Sequence, residues 1–140
     1  MRVRPVERKA AALGMAEYRL SAPAEVQIDE ILDRSQEKFG DLSRERYAAL
    51  LVAAMEDVAD DPEQKSVSWK HVAFGRIGVY HISHSRRHVP DPSGPVGNPR
   101  HFLIFRIGLD GIVDILGFIH ERMLFNRALG RIVSENRDDT

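Results

Sequence analysis

The clearest fold signal in this 140-residue chain is the stretch HFLIFRIGLDGIVDILGFIH, residues 101–120. Its first seven residues are mostly apolar strand formers, and the segment from Ile112 onward has a similar composition. Between them lies Asp110-Gly111, a dipeptide typical of a tight β-hairpin turn. The stretch therefore predicts two antiparallel strands, residues 101–107 and 112–120. Strict alternation along the second strand would place Ile115 and Gly117 on one face and Leu116 and Phe118 on the other.

The residues before this hairpin predict a strand followed by two helices. EYRLSA (residues 17–22) alternates and is rich in strand formers, and Pro23 suits the first turn of a helix. Apolar residues recur at helical spacing up to Phe39, and Gly40 ends this helix. A second helix begins near Ser43 and stops before Pro62. Because the connection is short, we expect the two helices to be antiparallel neighbours.

The remaining segments complete an α+β domain. We predict a strand region at 72–82, an extended loop at 83–99 and a short C-terminal helix within 122–133. The predicted fold is an N-terminal strand and an antiparallel two-helix hairpin packed as one layer on an antiparallel sheet, in the order β-α-α-β-β-β, followed by the short helix. We expect one domain at 16–133, a flexible arm at 1–15 and a disordered tail at 134–140.

Composition argues against several classes of protein. The chain has no cysteine, so it has neither a disulfide framework nor a thiolate zinc site, which suits the cytoplasm. No apolar run approaches the roughly 20 residues that span a bilayer. We therefore expect a cytoplasmic protein without membrane contact.

The net charge of −1 conceals an uneven distribution. Residues 17–65 carry thirteen acidic and six basic side chains, a balance of −7, whereas residues 66–109 carry six basic and one acidic, a balance of +5. Five of the six histidines also lie in the basic part. This division predicts an acidic helical side and a basic sheet side that faces a partner of opposite sign.

The stretch VYHISHSRRHV, residues 79–89, raises the question of a metal or acid–base site. His81, His84 and His88 differ in strand parity or fall in the predicted loop, so we expect no metal and no cofactor. A Ser-His-Asp site has no support, because the glycine pattern of a nucleophile elbow is missing. The remaining interpretation is a basic and aromatic surface, which could bind phosphates or a carboxylate-rich polypeptide.

Several of these motifs resemble one family. YRLSAPAEVQIDEILDRSQEKFG (residues 18–40) and SRERYAALLVAAMEDVADDPE (43–63) resemble the strand-helix-helix opening of the ParE/RelE superfamily of bacterial toxins. YHISHSR (80–86), NPRHFLIFRI (98–107) and GIVDILGFIHERMLFNRAL (111–129) resemble the sheet and ending of the ParE branch. The resemblance covers about residues 16–133. Leu124 stands where that ending usually has an acidic residue.

The resemblance implies the toxin of a type II toxin–antitoxin system, which causes growth arrest and is neutralised by a small antitoxin. ParE-like members inhibit DNA gyrase and are not hydrolases, and we expect that activity here. The alternative is a ribosome-dependent mRNA endoribonuclease, as in the RelE branch, with Arg106, His120 and Arg122 as catalytic residues. The chain has no tyrosine after Tyr80 and no lysine after Lys70, which favours the gyrase hypothesis. A third hypothesis is a toxin fold that has lost toxicity and persists as a binding module.

The candidate partner-binding residues are basic, aromatic or apolar side chains of the sheet and the ending. They are Arg76, Tyr80, Arg86, Arg87, Arg100, His101, Phe102, Arg106, His120, Arg122 and Met123. The antitoxin would supply an acidic, amphipathic C-terminal segment and form a hetero-oligomer with this chain. We expect its apolar anchors near Tyr47, Leu51 and Phe102, and its carboxylates on Arg76, Arg100 or Arg106.

Overall fold

The computed structural model describes residues 17–73, 75–89 and 96–137. The flexible arm predicted at 1–15 and the centre of the predicted loop, residues 90–95, lie outside the described residues. The elements in chain order are β1 (Tyr18–Leu20), α1 (Ala22–Phe39), α2 (Asp41–Asp60), β2 (Val67–Val72), β3 (Gly75–His81), a 3-10 helix (Ile82–His88), β4 (His101–Ile107), β5 (Val113–His120) and α3 (Phe125–Arg137). None of the helices in these ranges is long and apolar enough to cross a membrane.

The strands form one mixed sheet in the order β1-β5-β4-β3-β2. Neighbours from β5 to β2 are antiparallel, whereas β1 pairs with β5 in parallel. The predicted α+β class, with an N-terminal strand, a helical hairpin and a short C-terminal helix, is confirmed. The structure adds a strand that the sequence interpretation missed, because β2 occupies Val67–Val72 and forms a hairpin with β3. The predicted strand region at 72–82 corresponds mainly to β3.

Local sequence signals account for the helical hairpin. The Ser21 hydroxyl caps α1 by accepting a hydrogen bond from the Ala24 backbone N–H at 3.2 Å. Gly40 ends this helix with a φ of 93°, a backbone conformation that side chains with a Cβ rarely adopt. The buried face of α2, which includes Tyr47, Leu50 and Leu51, packs over the sheet as the predicted stripe requires.

The β4–β5 turn forms as predicted from Asp110-Gly111. The Gly108 N–H donates to the Ile112 carbonyl at 2.8 Å, and the Gly111 N–H donates to the Gly108 carbonyl at 2.9 Å. Gly111 has a φ of 83°, which is the left-handed conformation that closes such a turn.

A β-bulge interrupts the alternation along β5. Ile104 pairs with Gly117 and Phe105 with Ile115, which leaves Leu116 as the extra residue. Phe118 therefore joins Ile115 on the side of the helical hairpin, and Leu116 faces the other side. The predicted strict alternation is wrong beyond this point, because one inserted residue reverses the parity of all that follow.

Side chains of Ser21, which caps α1, of Gln27 in α1 and of Asn136 in α3 hydrogen-bond to the backbone of the bulge. The Leu116 carbonyl accepts from the Ser21 hydroxyl at 3.2 Å and from the Asn136 side-chain amide at 3.1 Å. The Phe118 N–H donates to the Gln27 side-chain oxygen at 2.7 Å. Both α1 and α3 thus stabilise the bulge.

Helices cover both faces of the sheet, which corrects the expectation of a single helical layer. A second apolar core forms on the face away from the helical hairpin, where Ile104, Leu116 and Ile119 pack against Leu129 and Ile132 of α3. The strands carry apolar side chains on both faces, so a bare second face would expose them to water. Residues 134–137, predicted to be disordered, continue α3, and residues 138–140 lie outside the described part of the chain.

Candidate functional site

A groove of about 550 Å³ lies between the helical hairpin and one end of the sheet. Its walls come from the C-terminal half of α1, the start of α2, and the segment that leads into β4. The residues that line it are Ile31, Arg34, Ser35, Lys38, Phe39, Leu42, Ser43, Arg46, Tyr47, Val96, Gly97, Asn98, Arg100, His101 and His120. Three of the predicted partner-binding residues, Arg100, His101 and His120, thus lie together in this groove.

One wall of the groove contains a hydrogen-bonded cluster of rings. The Tyr47 hydroxyl lies 2.6 Å from His101 Nδ1 and accepts the Arg100 backbone N–H at 3.0 Å. The Tyr47 hydroxyl thus joins the His101 ring to the backbone at the start of β4. The His120 ring packs edge-on against His101, with 5.0 Å between ring centroids.

Burial shifts the pKa values of this cluster. Loss of solvent lowers the pKa of His101 to about 4, and the neighbouring His120 and Arg34 lower it further in the same direction. Loss of solvent also raises the pKa of Tyr47 to about 12. The pKa of His120 is lowered, chiefly by its partial burial. At neutral pH, both His101 and Tyr47 are therefore uncharged hydrogen-bonding groups.

The other charges of the groove are basic. Arg34 and Lys38 lie one turn apart on α1, Arg46 lies on α2, and Arg100 precedes β4, while none of the lining residues is acidic. Arg100 donates to Glu121 Oε1 at 2.7 Å, just outside the groove, and His81 Nε2 lies 3.1 Å from Glu121 Oε2. These two hydrogen bonds hold the pKa of Glu121 below its usual value.

The histidines of residues 79–89 do not converge on one point. His81 contacts Glu121, and the His84 ring packs on Tyr80. His88 Nδ1 lies 2.7 Å from Asp57 Oδ2 of α2, and the same oxygen accepts from the buried Ser85 hydroxyl at 2.6 Å. Since His88 and Ser85 share one carboxylate oxygen, this arrangement joins the 3-10 helix to α2 rather than activating a nucleophile.

The predicted extended loop therefore begins as an ordered 3-10 helix, Ile82–His88, held by Ile82 in the core and by Asp57. Arg86 and Arg87 are exposed on it. Within the residues that the structure describes, no group of three or more His, Asp or Glu side chains is arranged to hold a metal ion.

Tyr80 is not part of a surface, contrary to the prediction. Its side chain lies in the core beneath α2, and its hydroxyl is 2.7 Å from the Ser85 hydroxyl. Side chains alternate along β4, so Phe102 lies on the opposite side of the sheet from His101, where it contacts Phe125 of α3. Tyr80 and Phe102 therefore do not line the groove beside His101.

Arg76 and Arg106 are already paired with carboxylates of this chain. Arg76 forms an ion pair with Glu63 and stacks on the Trp69 ring at 3.9 Å. Arg106 lies 3.5 Å from Asp114, at the end of the sheet opposite to His120. The three residues that the ribonuclease hypothesis needs together, Arg106, His120 and Arg122, are therefore not assembled into one site.

The residues between β5 and α3 form an exposed turn. Arg122 is exposed, and Met123 and Leu124 have 48% and 67% of their surface exposed. The Arg122 N–H donates to His120 Nδ1 at 3.0 Å and the Met123 N–H donates to the His120 carbonyl at 2.9 Å, so the turn has a defined backbone.

Sequence reasoning missed the α1 contribution to the groove. Arg34 and Lys38 lie in a segment with a strong acidic excess, which led to the description of the helical side as acidic. Their i, i+4 spacing and the reversal at Gly40, which brings Arg46 back toward them, were the available signals. Only the fold shows that the segment before β4 completes the groove.

Comparison with known protein families gives one match. Residues 18–125 match the family described as "ParE toxin of type II toxin-antitoxin system, parDE". No curated protein and no solved structure matches the chain. The family match begins at β1 and extends through β5 and the exposed turn to the first residue of α3, so it includes the whole sheet. This chain therefore belongs to the ParE toxin family of type II toxin–antitoxin systems.

Proposed function

We propose that this protein acts in the cytoplasm as a toxin that inhibits DNA gyrase and is neutralised by its antitoxin. The observation that carries the proposal is the family match over residues 18–125, which includes the ending IHERM at 119–123. Inhibition by binding requires an accessible contact surface rather than a set of catalytic groups.

The exposed turn supports this proposal. Arg122, Met123 and Leu124 present one cation and two apolar side chains to solvent between two ordered elements. Large apolar side chains that remain exposed side by side are typical of interaction sites. We therefore place the gyrase contact at this turn, where Leu124 extends the apolar surface.

A supercoiling assay tests the proposal directly. Purified protein at micromolar concentration should inhibit gyrase supercoiling or trap cleaved DNA, and absence of both effects would refute gyrase as the target. The double variant Met123→Ala/Leu124→Ala should raise the inhibitory concentration about tenfold, which corresponds to about 1.4 kcal/mol of binding free energy. The matched control is Val26→Ala/Leu109→Ala, which truncates two exposed apolar residues elsewhere and should leave inhibition unchanged.

Family membership implies an antitoxin partner, and we propose that its acidic segment pairs with Arg100. Arg100 lines the groove with its side chain partly exposed, whereas Arg106 lies near the other end of β4, beside Asp114. Arg100→Glu should weaken the complex with the antitoxin at least about tenfold in a titration, since it places two like charges together. Arg106→Glu serves as the comparison at a second surface. Equal affinity of Arg100→Glu and wild type, with folding intact, would move the contact elsewhere.

The ribonuclease hypothesis remains the alternative, now without Arg106. His120 borders a groove with four permanent cations, which is the observation that favours it. Under this hypothesis, the protein should cleave mRNA on the ribosome, and His120→Ala should abolish the cleavage. Undiminished cleavage by His120→Ala, or inhibition of gyrase without any cleavage, would eliminate it.

A further inference from the structure

The cations of the groove are not all neutralised by the chain itself. Arg100 forms an ion pair with Glu121. In contrast, the side chains of Arg34 and Lys38 form no ion pair or hydrogen bond with another described residue. Both line the groove, and no acidic residue does. Such a concentration of positive charge in a concave site attracts an anion.

The groove also has apolar surface beside these cations. Phe39 and Leu42, on either side of the turn between α1 and α2, have 75% and 51% of their surface exposed at the groove. Ile31 and Val96 add further apolar atoms. An exposed aromatic ring beside cations is the combination by which proteins stack a nucleobase and hold its phosphate.

The dimensions of the groove favour a small ligand. Its volume of about 550 Å³ falls within the range of roughly 300–1,000 Å³ that is typical of small-molecule sites. The buried Tyr47 and His101 form part of its wall and are uncharged at neutral pH, so they can border an uncharged part of the ligand without a repelling charge. A ligand with a strongly charged end and a planar, uncharged end therefore fits a groove that has both cations and uncharged rings in its wall.

We propose that the groove binds a nucleotide, with its phosphate on Arg34 and Lys38 and its base against Phe39. The nucleotide can be free or part of a single strand, because both present the same phosphate and base. This site is separate from the turn at residues 122–124 and does not rest on gyrase inhibition.

The experiment measures binding at low salt by titration calorimetry. The probes are adenosine monophosphate, inorganic phosphate, a single-stranded trinucleotide and an oligoglutamate peptide. Adenosine monophosphate should bind at least about tenfold more tightly than inorganic phosphate, because only the nucleotide has a base to stack. Tighter binding of the trinucleotide would identify nucleic acid as the source, and equal or weaker binding would identify the free nucleotide.

Two classes of variant test the geometry. Arg34→Glu and Lys38→Glu should each weaken nucleotide binding at least about tenfold, whereas Phe39→Ala should weaken nucleotide binding and leave phosphate binding unchanged. The matched control is Arg127→Glu, an identical change at an exposed helical position on the other side of the sheet, which should alter the affinity less than about twofold. Circular dichroism establishes that every variant is folded. The proposal is wrong if wild type binds no nucleotide at millimolar concentration, if oligoglutamate binds as tightly, or if Arg34→Glu and Arg127→Glu have the same effect.

Discussion

His101 shows how a single buried side chain acquires properties that its sequence position does not reveal. The imidazole is enclosed between Tyr47 and His120, and its Nδ1 lies 2.6 Å from the Tyr47 hydroxyl oxygen, within hydrogen-bonding distance. Protonation of His101 would place a charge in a site that is shielded from solvent and already faces Arg34. The fold therefore retains the neutral imidazole and opposes its ionisation.

This lowered pKa predicts a loss of stability in mild acid. The unfolded chain binds a proton on His101 near pH 6.5, and the folded chain does so only near pH 4. As the pH falls through this window, the unfolded state gains a proton that the folded state lacks, so the free energy of unfolding decreases. Between pH 7.5 and 5 the contribution of His101 should be about 1–2 kcal/mol.

Urea unfolding of wild type and His101→Gln at both pH values isolates this effect. Gln does not titrate, so the stability advantage of wild type over the variant should shrink by that amount at pH 5. A difference between the two proteins that does not change with pH would contradict the shifted pKa.

The carboxylate of Asp114 leads to a second prediction about stability at the scale of single residues. This nearly buried group accepts from Arg19 Nε at 2.7 Å and faces Arg106 at 3.5 Å. Asp114→Ala would remove the buried carboxylate that pairs with Arg19 Nε and leave Arg19 only the exposed Asp110; the loss of a buried partner costs about 3 kcal/mol in comparable sites. The control is Asp110→Ala, which also removes a partner of Arg19 but at an exposed position, and should have a much smaller effect. Equal loss of stability in the two variants, measured by urea unfolding, would contradict the role of burial.

At the scale of elements, two glycines should respond in opposite ways to the same change. A Cβ on Gly78 of β3 would lie 2.4 Å from the Phe105 ring, whereas a Cβ on Gly130 of α3 would meet nothing within 4 Å. Gly78→Ala should destabilise the protein by about 1–3 kcal/mol through overpacking. Gly130→Ala should stabilise it by about 0.5–1 kcal/mol, because alanine favours the helix interior. Thermal unfolding measures both, and stabilisation by Gly78→Ala would show that Phe105 moves aside without cost.

At the scale of the whole molecule, two cores share one sheet. Leu103 and Phe105 face the helical hairpin, and Ile104 between them faces α3. Because each strand belongs to both cores, we expect one cooperative unfolding transition. Leu129→Ala in the α3 core should lower stability by about 2–4 kcal/mol.

Trp69, the single tryptophan, reports on the other side of the sheet, where it packs against the helical-hairpin core and Phe105. In Leu129→Ala, the urea midpoints measured by Trp69 fluorescence and by far-UV circular dichroism of the protein should therefore fall to the same lower value. In the exposed Leu124→Ala variant, both midpoints should stay unchanged. Separate midpoints for the two probes would mean that α3 unfolds independently.

The sequence by itself determined the class of fold and the family. The Asp110-Gly111 turn and the helix end at Gly40 depend on residues that are close in the chain, so periodicity and turn chemistry predicted them. The family resemblance rests on the same local motifs, and the match over residues 18–125 confirms it.

Only the tertiary structure decided which face each side chain occupies and which cations converge. The bulge at Leu116 forms hydrogen bonds with the side chains of Ser21, Gln27 and Asn136, which are distant in the chain, so strict alternation could not predict it. The groove joins α1 to the segment before β4, and it appears only when the hairpin packs on the sheet. Local patterns are set by neighbouring residues, whereas burial and electrostatic environment are set by contacts between residues far apart in sequence. For that reason the sequence predicted every element except β2 and the 3-10 helix, but it placed Tyr80 on the surface and missed Arg34.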